Sequence, residues 1–454
     1  MNPFGQTLAQ LRAGYSNGDT TPSDVIRDVL ARIERTRDDH AWITVAEPGA
    51  LLARAAELEH RAEADGIGRL PLYGVPIAVK DNIDVAGLPT TNACPEFAHV
   101  PEESAAAVQR VLDAGAIVVG KTNLDQFATG LVGVRSPYGI PRSVFGKDIV
   151  SGGSSSGSAV AVASGVVPIA LATDTAGSGR VPAALNGVIG VKPTLGLVST
   201  RGLEPACRTI DGITVMATGI QDALTLLEVI VGHDPKNPWG RVPATLGAST
   251  WQEGMPLRLG LPEPLDFFGD TAMQAAHLKA RTQAMDSLGA TGVSVDLTPF
   301  LDAGALLYQG AWVAERYADL GPFLETHPDS PASSINPIVR QIIESGQRFS
   351  AADLFRTQHA LRTLRHAVRP VWDQVDALVL PTIGTTFTIE EVLADPIARN
   401  SVLGHYTHFA NLLDLAAIAI PAGLTEDGRP ASLMLIGPPR SDLTLATIAQ
   451  AVLG

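Results

Sequence analysis

The chain has 454 residues, enough for one large α/β domain or two to three of average size, and its 45% hydrophobic and 18% charged content excludes disorder as the main state. A formal net charge of −14 and the lack of any basic cluster exclude nucleic acid as a partner. Cys94 and Cys207 stand far apart without metal-ligand spacing, and no run of about 18 apolar residues occurs, so a disulfide framework, a structural zinc site and a membrane span drop out.

The expectation is a soluble protein of a reducing cytoplasm. In chain order, PSDVIRDVLARIER at 22–35 sets Val25, Ile26, Val29, Leu30 and Ile33 at helical spacing behind a Ser23 or Asp24 cap. A second helical run, ALLARAAELEHRAEAD, covers 50–65. Short apolar runs between turns follow: GVPIAVKDN at 74–82, AIVVGKTN at 116–123, VPIALATD at 167–174 and VIGVKPT at 188–194. Nearly continuous in Val, Ile and Ala, they predict buried strands of a largely parallel sheet. With helical SAAAVQRVLDAGA at 104–116 between them, the alternation predicts an α/β layered core through residue 225. The middle, 235–350, is more variable and turns helical around LLYQGAWVAERYADL. Sheet texture resumes with DALVLPT at 376–382 and LDLAAIAIPAGL at 413–424, so the middle reads as an elaboration within a single domain over 1–454.

One stretch, IVSGGSSSGSA at 149–159, has the composition of a flexible linker, yet a helix-forming AVAVASG and the strand VVPIALATD follow it directly. It therefore sits inside the core pattern. A Gly-Ser loop opening a helix gathers free N–H groups and a positive dipole end, which suits an anion or a developing oxyanion; the alternative is a tight turn with Ser155 or Ser156 as N-cap. Phosphate binding lacks GxxxxGK[ST]. A Ser-His-Asp triad lacks GxSxG, and the histidines nearest in sequence are His99 and His233. Lys80, ending GVPIAVK, is the candidate base, because burial lowers a lysine from about 10.4 toward neutrality. Its alternative is a strand-end lysine paired with Asp81 or Asp84. In ATDTAGSGRVPAALNG at 172–187, Ser178 occupies a glycine-flanked turn with the amides of Thr175, Ala176, Gly177 and Ser178 beside it, the arrangement an oxyanion site requires, or is simply a loop serine.

GVPIAVKDN, GGSSSGSA and DTAGSGRVPAA occur in the order and at the separations of the amidase signature family, which the chain resembles over essentially its whole length. The resemblance implies an α/β/α layered fold with a large mixed, mostly parallel central sheet, a homodimer, and chemistry without metal or organic cofactor. It implies Ser178 as nucleophile, Ser154 as a bridge following a cis peptide after Gly153, Lys80 as the neutral base, and Thr175, Ala176, Gly177 and Ser178 as oxyanion donors. Where many members read GGSIR, this chain reads AGSGR, a change of pocket shape.

Within the family, KDNIDVAGLPTTNACP, TGLVGVRSPYG and TDTAGSGRVPAA are similar to allophanate hydrolases. That likeness implies Tyr308 and Arg316, in LYQGAWVAERY, and Gly130 at a small carboxylated amide substrate, with the Arg316 fork on its carboxylate. A spacing of eight sets Tyr308 and Arg316 near one face of one helix; otherwise Arg316 pairs with Glu315 or Asp319. Three activities stay open: allophanate hydrolysis, hydrolysis of another small amide such as malonamate or biuret, and service in a glutamine-dependent amidotransferase. Allophanate hydrolases often carry a further C-terminal domain with no counterpart in this sequence, which implies a stand-alone amidase or a truncated chain.

Overall fold

The first well-formed amphipathic helix, Pro22–Arg35, is capped by Thr21 rather than by Ser23 or Asp24. The Thr21 hydroxyl accepts the Asp24 N–H at 3.2 Å and the Asp24 carboxylate accepts the Thr21 N–H at 3.2 Å, a reciprocal box with Pro22 preset at the first helical position. The computed structural model describes residues 5–330 and 332–454.

Eleven strands form one sheet: β1 (Trp42–Val45), β2 (Pro76–Lys80), β3 (Ile117–Thr122), β4 (Ile169–Asp174), β5 (Ile189–Lys192), β6 (Gly212–Ala217), β7 (Arg258–Pro262), β8 (Thr291–Val295), β9 (Ala377–Pro381), β10 (Ala416–Leu424) and β11 (Pro430–Gly437). Their spatial order is β1-β3-β2-β4-β6-β5-β10-β11-β9-β7-β8. The large mixed sheet is as expected, but parallel pairing is the minority. β2 runs parallel to β3 and β4, and β7 to β8 and β9, whereas β1–β3, β4–β6, β5–β6, β5–β10, β10–β11 and β9–β11 are antiparallel. Continuous apolar runs report burial of both faces and leave the direction of the neighbour unspecified. Nor is the middle segment apart from the sheet: β7 and β8 extend its far edge beyond β9.

Side-chain alternation divides the core between the two faces. Ile77, Val79, Ile169 and Leu171 enter one cluster, while Ala78, Ala170 and Ala172 enter another with Ala159, Ala161 and Val162 of the helix Ser156–Ala163. Small residues on the sheet and on the helix let the two backbones approach closely, so the helix that follows the serine-glycine stretch is seated directly over β2 and β4. Among the described residues no helix is long and apolar enough to cross a membrane.

Candidate active site

Lys80 falls in phase with Ala78 and so projects toward the face covered by the helix Ser156–Ala163. It is 0% exposed, and its Nζ donates to Ser154 Oγ at 2.7 Å and to Thr173 Oγ1 at 2.6 Å. The alternative pairings are taken up elsewhere: Asp81 forms a buried ion pair with Lys121 at 3.3 Å, and Asp84 accepts from Thr90. Burial pushes the Lys80 amine down to about 7, against the opposing pull of the Asp211, Asp125 and Asp174 carboxylates. A lysine so placed is able to exchange a proton with a serine near neutral pH.

The peptide bond between Gly153 and Ser154 is cis. A Cβ at Gly153 would overlap the Asp125 carboxylate, which is why glycine stands there. Asp125 shapes this corner of the site: its carboxylate accepts the amides of Val132 at 3.1 Å, Gly133 at 2.9 Å and Arg135 at 2.9 Å, and its own N–H donates to the Ser154 carbonyl at 3.0 Å. Ser155 occupies the N-cap position of the following helix without a capping bond. Instead its hydroxyl donates to the Thr173 carbonyl at 3.2 Å and accepts the Thr173 N–H at 3.4 Å. Ser156 donates to the Asn123 carbonyl at 3.5 Å. The expected cap is therefore corrected: Ser155 stitches the loop to the end of β4.

Ser178 lies in the turn between β4 and the helix Val181–Leu185, 2% exposed. Its hydroxyl makes no hydrogen bond among the described residues, so the structure joins Lys80 to Ser154 and leaves Ser178 unlinked to either. The turn itself is rigidly braced. Asp174 accepts the Gly177 amide at 2.9 Å and the Gly179 amide at 3.0 Å, and takes the Arg180 fork through Nε at 2.9 Å and Nη2 at 3.0 Å. Both partners are fully buried; removing one of such a pair costs about 3–5 kcal/mol because the other charge is stranded. Arg180 Nη2 also reaches the Thr407 carbonyl at 3.0 Å, and Asn411 Nδ2 donates to the Asp174 carbonyl at 2.7 Å. Thr407 Oγ1 closes the brace on the Ala176 carbonyl at 2.7 Å.

Of the four amides expected to face an oxyanion, Gly177 is corrected, since its N–H is already held by Asp174. Those of Thr175, Ala176 and Ser178 donate to no acceptor among the described residues. The Thr175 side chain is fixed separately by a short hydrogen bond to Asp211, a buried carboxyl pushed up to about 6 by desolvation.

Tyr308 and Arg316 come together by a different route from the one their spacing suggests. They lie on two helices, Thr298–Gln309 and Trp312–Thr326, broken at Gly310, where a Cβ would stand 2.6 Å from the Leu306 carbonyl and 2.8 Å from Thr357. Across the break the Arg316 guanidinium sits over the Tyr308 ring, 5.7 Å from its centroid. Arg316 is 1% exposed; Nη1 donates to Thr129 Oγ1 at 2.7 Å, while Nη2 is buried without a partner. Neither candidate carboxylate holds it: Glu315 bonds Thr209 and Asp319 pairs with Arg208. Gly130 follows Thr129 in the same turn, pressed against Asp125, whose Oδ2 a Cβ would approach to 2.5 Å.

Sequence reasoning missed Thr173, Asp125 and the Asp174–Arg180 brace. Both Thr173 and Asp174 lie inside the motif that contains Ser178, so a buried acid and a strand-end threonine next to a glycine turn were the available signal. The one grouping of metal-ligating atoms found among the described residues, Asp84 with His99 and Glu204, lies outside these contacts, and its Asp84 is engaged with Thr90 and His99.

Residues 24–446 match the Amidase family. The chain is 43% identical over 417 residues to urea amidolyase of Saccharomyces cerevisiae, which spans 91% of this chain and 22% of that protein. The solved structure of Kluyveromyces lactis allophanate hydrolase superposes with a TM-score of 0.91 at 40% identity, covering 100% of this chain and 73% of that one. A glutamyl-tRNA(Gln) amidotransferase subunit of Symbiobacterium thermophilum is 34% identical over 473 residues, with 98% of this chain and 96% of that protein covered. The chain thus spans 22% to 24% of the length of the urea amidolyases that it matches.

Proposed function

Because the chain belongs to the amidase family, we propose that this amidase hydrolyses the terminal amide of allophanate, urea-1-carboxylate, through an acyl-enzyme on Ser178. The observation that carries the choice of substrate is Arg316: a fully buried guanidinium with one edge unpartnered and no carboxylate of its own. A buried cation in that condition calls for an anion, and a planar carboxylate matches its fork. The similarity to urea amidolyase and allophanate hydrolase at 43% and 40% identity supports the same reading.

In the mechanism, neutral Lys80 takes a proton from Ser154 as Ser154 takes one from Ser178, and Ser178 Oγ adds to the amide carbonyl. Substrate binding closes the Ser154–Ser178 link, since catalytic hydrogen bonds often tighten only in the complex. The amides of Thr175, Ala176 and Ser178 hold the tetrahedral oxyanion. Collapse expels ammonia, protonated from Lys80 through Ser154. Water then cleaves the acyl-enzyme by the reverse relay and frees a nitrogen bearing two carboxylates, which can decarboxylate unaided.

Ammonia release by the purified chain, measured with allophanate beside glutamine, tests the substrate. Turnover of allophanate is expected; preference for glutamine overturns the reading in favour of service in an amidotransferase. The pH dependence tests the base. Only unprotonated Lys80 accepts a proton, so kcat/KM is expected to rise with pH and level off above about 7. Asp211→Asn, removing a carboxylate that favours the charged lysine, is expected to move that inflection to lower pH. An inflection that stays near the ordinary lysine value would rule Lys80 out as the neutral base.

A further inference from the structure

We propose that Asn92 recognises the N–H between the two carbonyl carbons of the substrate, an assignment that rests on the allophanate reading above. Its carboxamide is 1% exposed, and both its oxygen and its nitrogen are buried without a hydrogen-bond partner. Among the described residues with two polar side-chain atoms only His277 shares that condition, and His277 lays its ring against Phe267 with centroids 5.6 Å apart. A buried carboxamide unpaired at both ends is rare in folded proteins and demands a partner.

The position of Asn92 supplies one. Its main-chain carbonyl accepts the Phe127 N–H at 3.0 Å, which seats the residue against the turn Gln126–Ala128. Asp125, just before that turn, holds the Ser154 carbonyl at 3.0 Å; Thr129, just after it, holds Arg316 Nη1 at 2.7 Å. One short segment therefore links Asn92 to the serine of the proton relay on one side and to the unpaired guanidinium on the other. A substrate reaching from Arg316 to the serines presents its centre to this segment. In a carboxylated urea that centre is an N–H flanked by two carbonyl groups. The Asn92 oxygen accepts the N–H, and its NH2 donates to a flanking oxygen. A site built around such a bond rejects an analogue that lacks it, because the buried acceptor is left unpaired.

The test compares kcat/KM for allophanate with that for malonamate, in which CH2 replaces the central NH, in wild type and in Asn92→Gly. Glycine is chosen because Asn92 has a φ of 51°, which glycine tolerates without strain. The wild-type preference for allophanate is expected to fall by about tenfold or more in Asn92→Gly, with malonamate losing less than allophanate because it forfeits only the bond to its flanking oxygen. Equal loss on both substrates marks a merely structural residue, and no loss on either marks an idle one; each overturns the proposal. Should the glycine variant fail to fold, wild type still decides, since no preference for allophanate over malonamate refutes the assignment. Failure of the underlying reading looks different: wild type then leaves allophanate intact altogether.

Discussion

Ser178→Ala is expected to lower kcat by on the order of 10⁴-fold or more while the melting temperature stays near wild type, because the change removes the proposed nucleophile and nothing else. The Ser178 hydroxyl makes no hydrogen bond among the described residues, so its loss breaks no structural contact. Ser154→Ala is expected to approach the same loss, since it deletes the group to which Lys80 donates at 2.7 Å. Residues acting as one unit are non-additive, and Lys80→Ala added to Ser154→Ala should therefore cost little more. Ser156→Ala is the control within the same stretch. Its hydroxyl touches only the Asn123 carbonyl, at the long distance of 3.5 Å, and turnover is expected within about threefold of wild type for so weak a bond. Single-turnover and steady-state kinetics on the four variants check the series. Equal losses in Ser154→Ala and Ser156→Ala would return the serine-glycine stretch to the status of a linker.

Arg316→Ala is expected to lower kcat/KM for a carboxylated amide by about 10²-fold, the worth of one or two charge-assisted hydrogen bonds lost in a buried site. Hydrolysis of a neutral amide of the same size should change little, because that substrate never engages the guanidinium. Arg316→Lys is expected to recover only part of the loss: a lysine restores the charge without the planar fork, and loses either the Thr129 contact or the substrate. Rates on the paired substrates check the assignment, with Thr129→Ala as a further probe of how Nη1 is oriented. If the neutral amide falls as far as the carboxylated one, Arg316 holds the pocket together and does not read charge.

The pairing of Lys80 with Ser154 was legible because the candidate residues sit in contiguous strand-turn-helix segments. An apolar strand ending on Lys80, a glycine-serine loop running into a small-residue helix, and a glycine-flanked serine after the next strand each announce a backbone event that sequence can express. What was hidden depends on partners distant in the chain. Thr173 resembles any β-branched strand residue until Lys80 arrives beside it. Asp125 is satisfied by the backbone amides of Val132, Gly133 and Arg135, which leave no complementary side chain to search for.

The direction of the strands was hidden for another reason, since burial on both faces looks alike in parallel and antiparallel neighbours. Two errors had readable corrections. Gly310 between Tyr308 and Arg316 marked the break in what looked like one helix, and Pro22 at a first helical position pointed to Thr21 as the cap.

The brace around the Ser178 turn also sets a timetable. Asp174 and Arg180 are completed by Thr407 and Asn411, more than two hundred positions later in the chain. During synthesis the Lys80 and Ser154 segments emerge long before those partners, in a chain made from its N-terminus. The turn that holds Ser178 cannot acquire its final form until residue 411 has left the ribosome. Competence for hydrolysis is therefore acquired late, and a nascent chain bearing every residue of the proposed relay remains unarmed until nearly the whole sheet has been laid down.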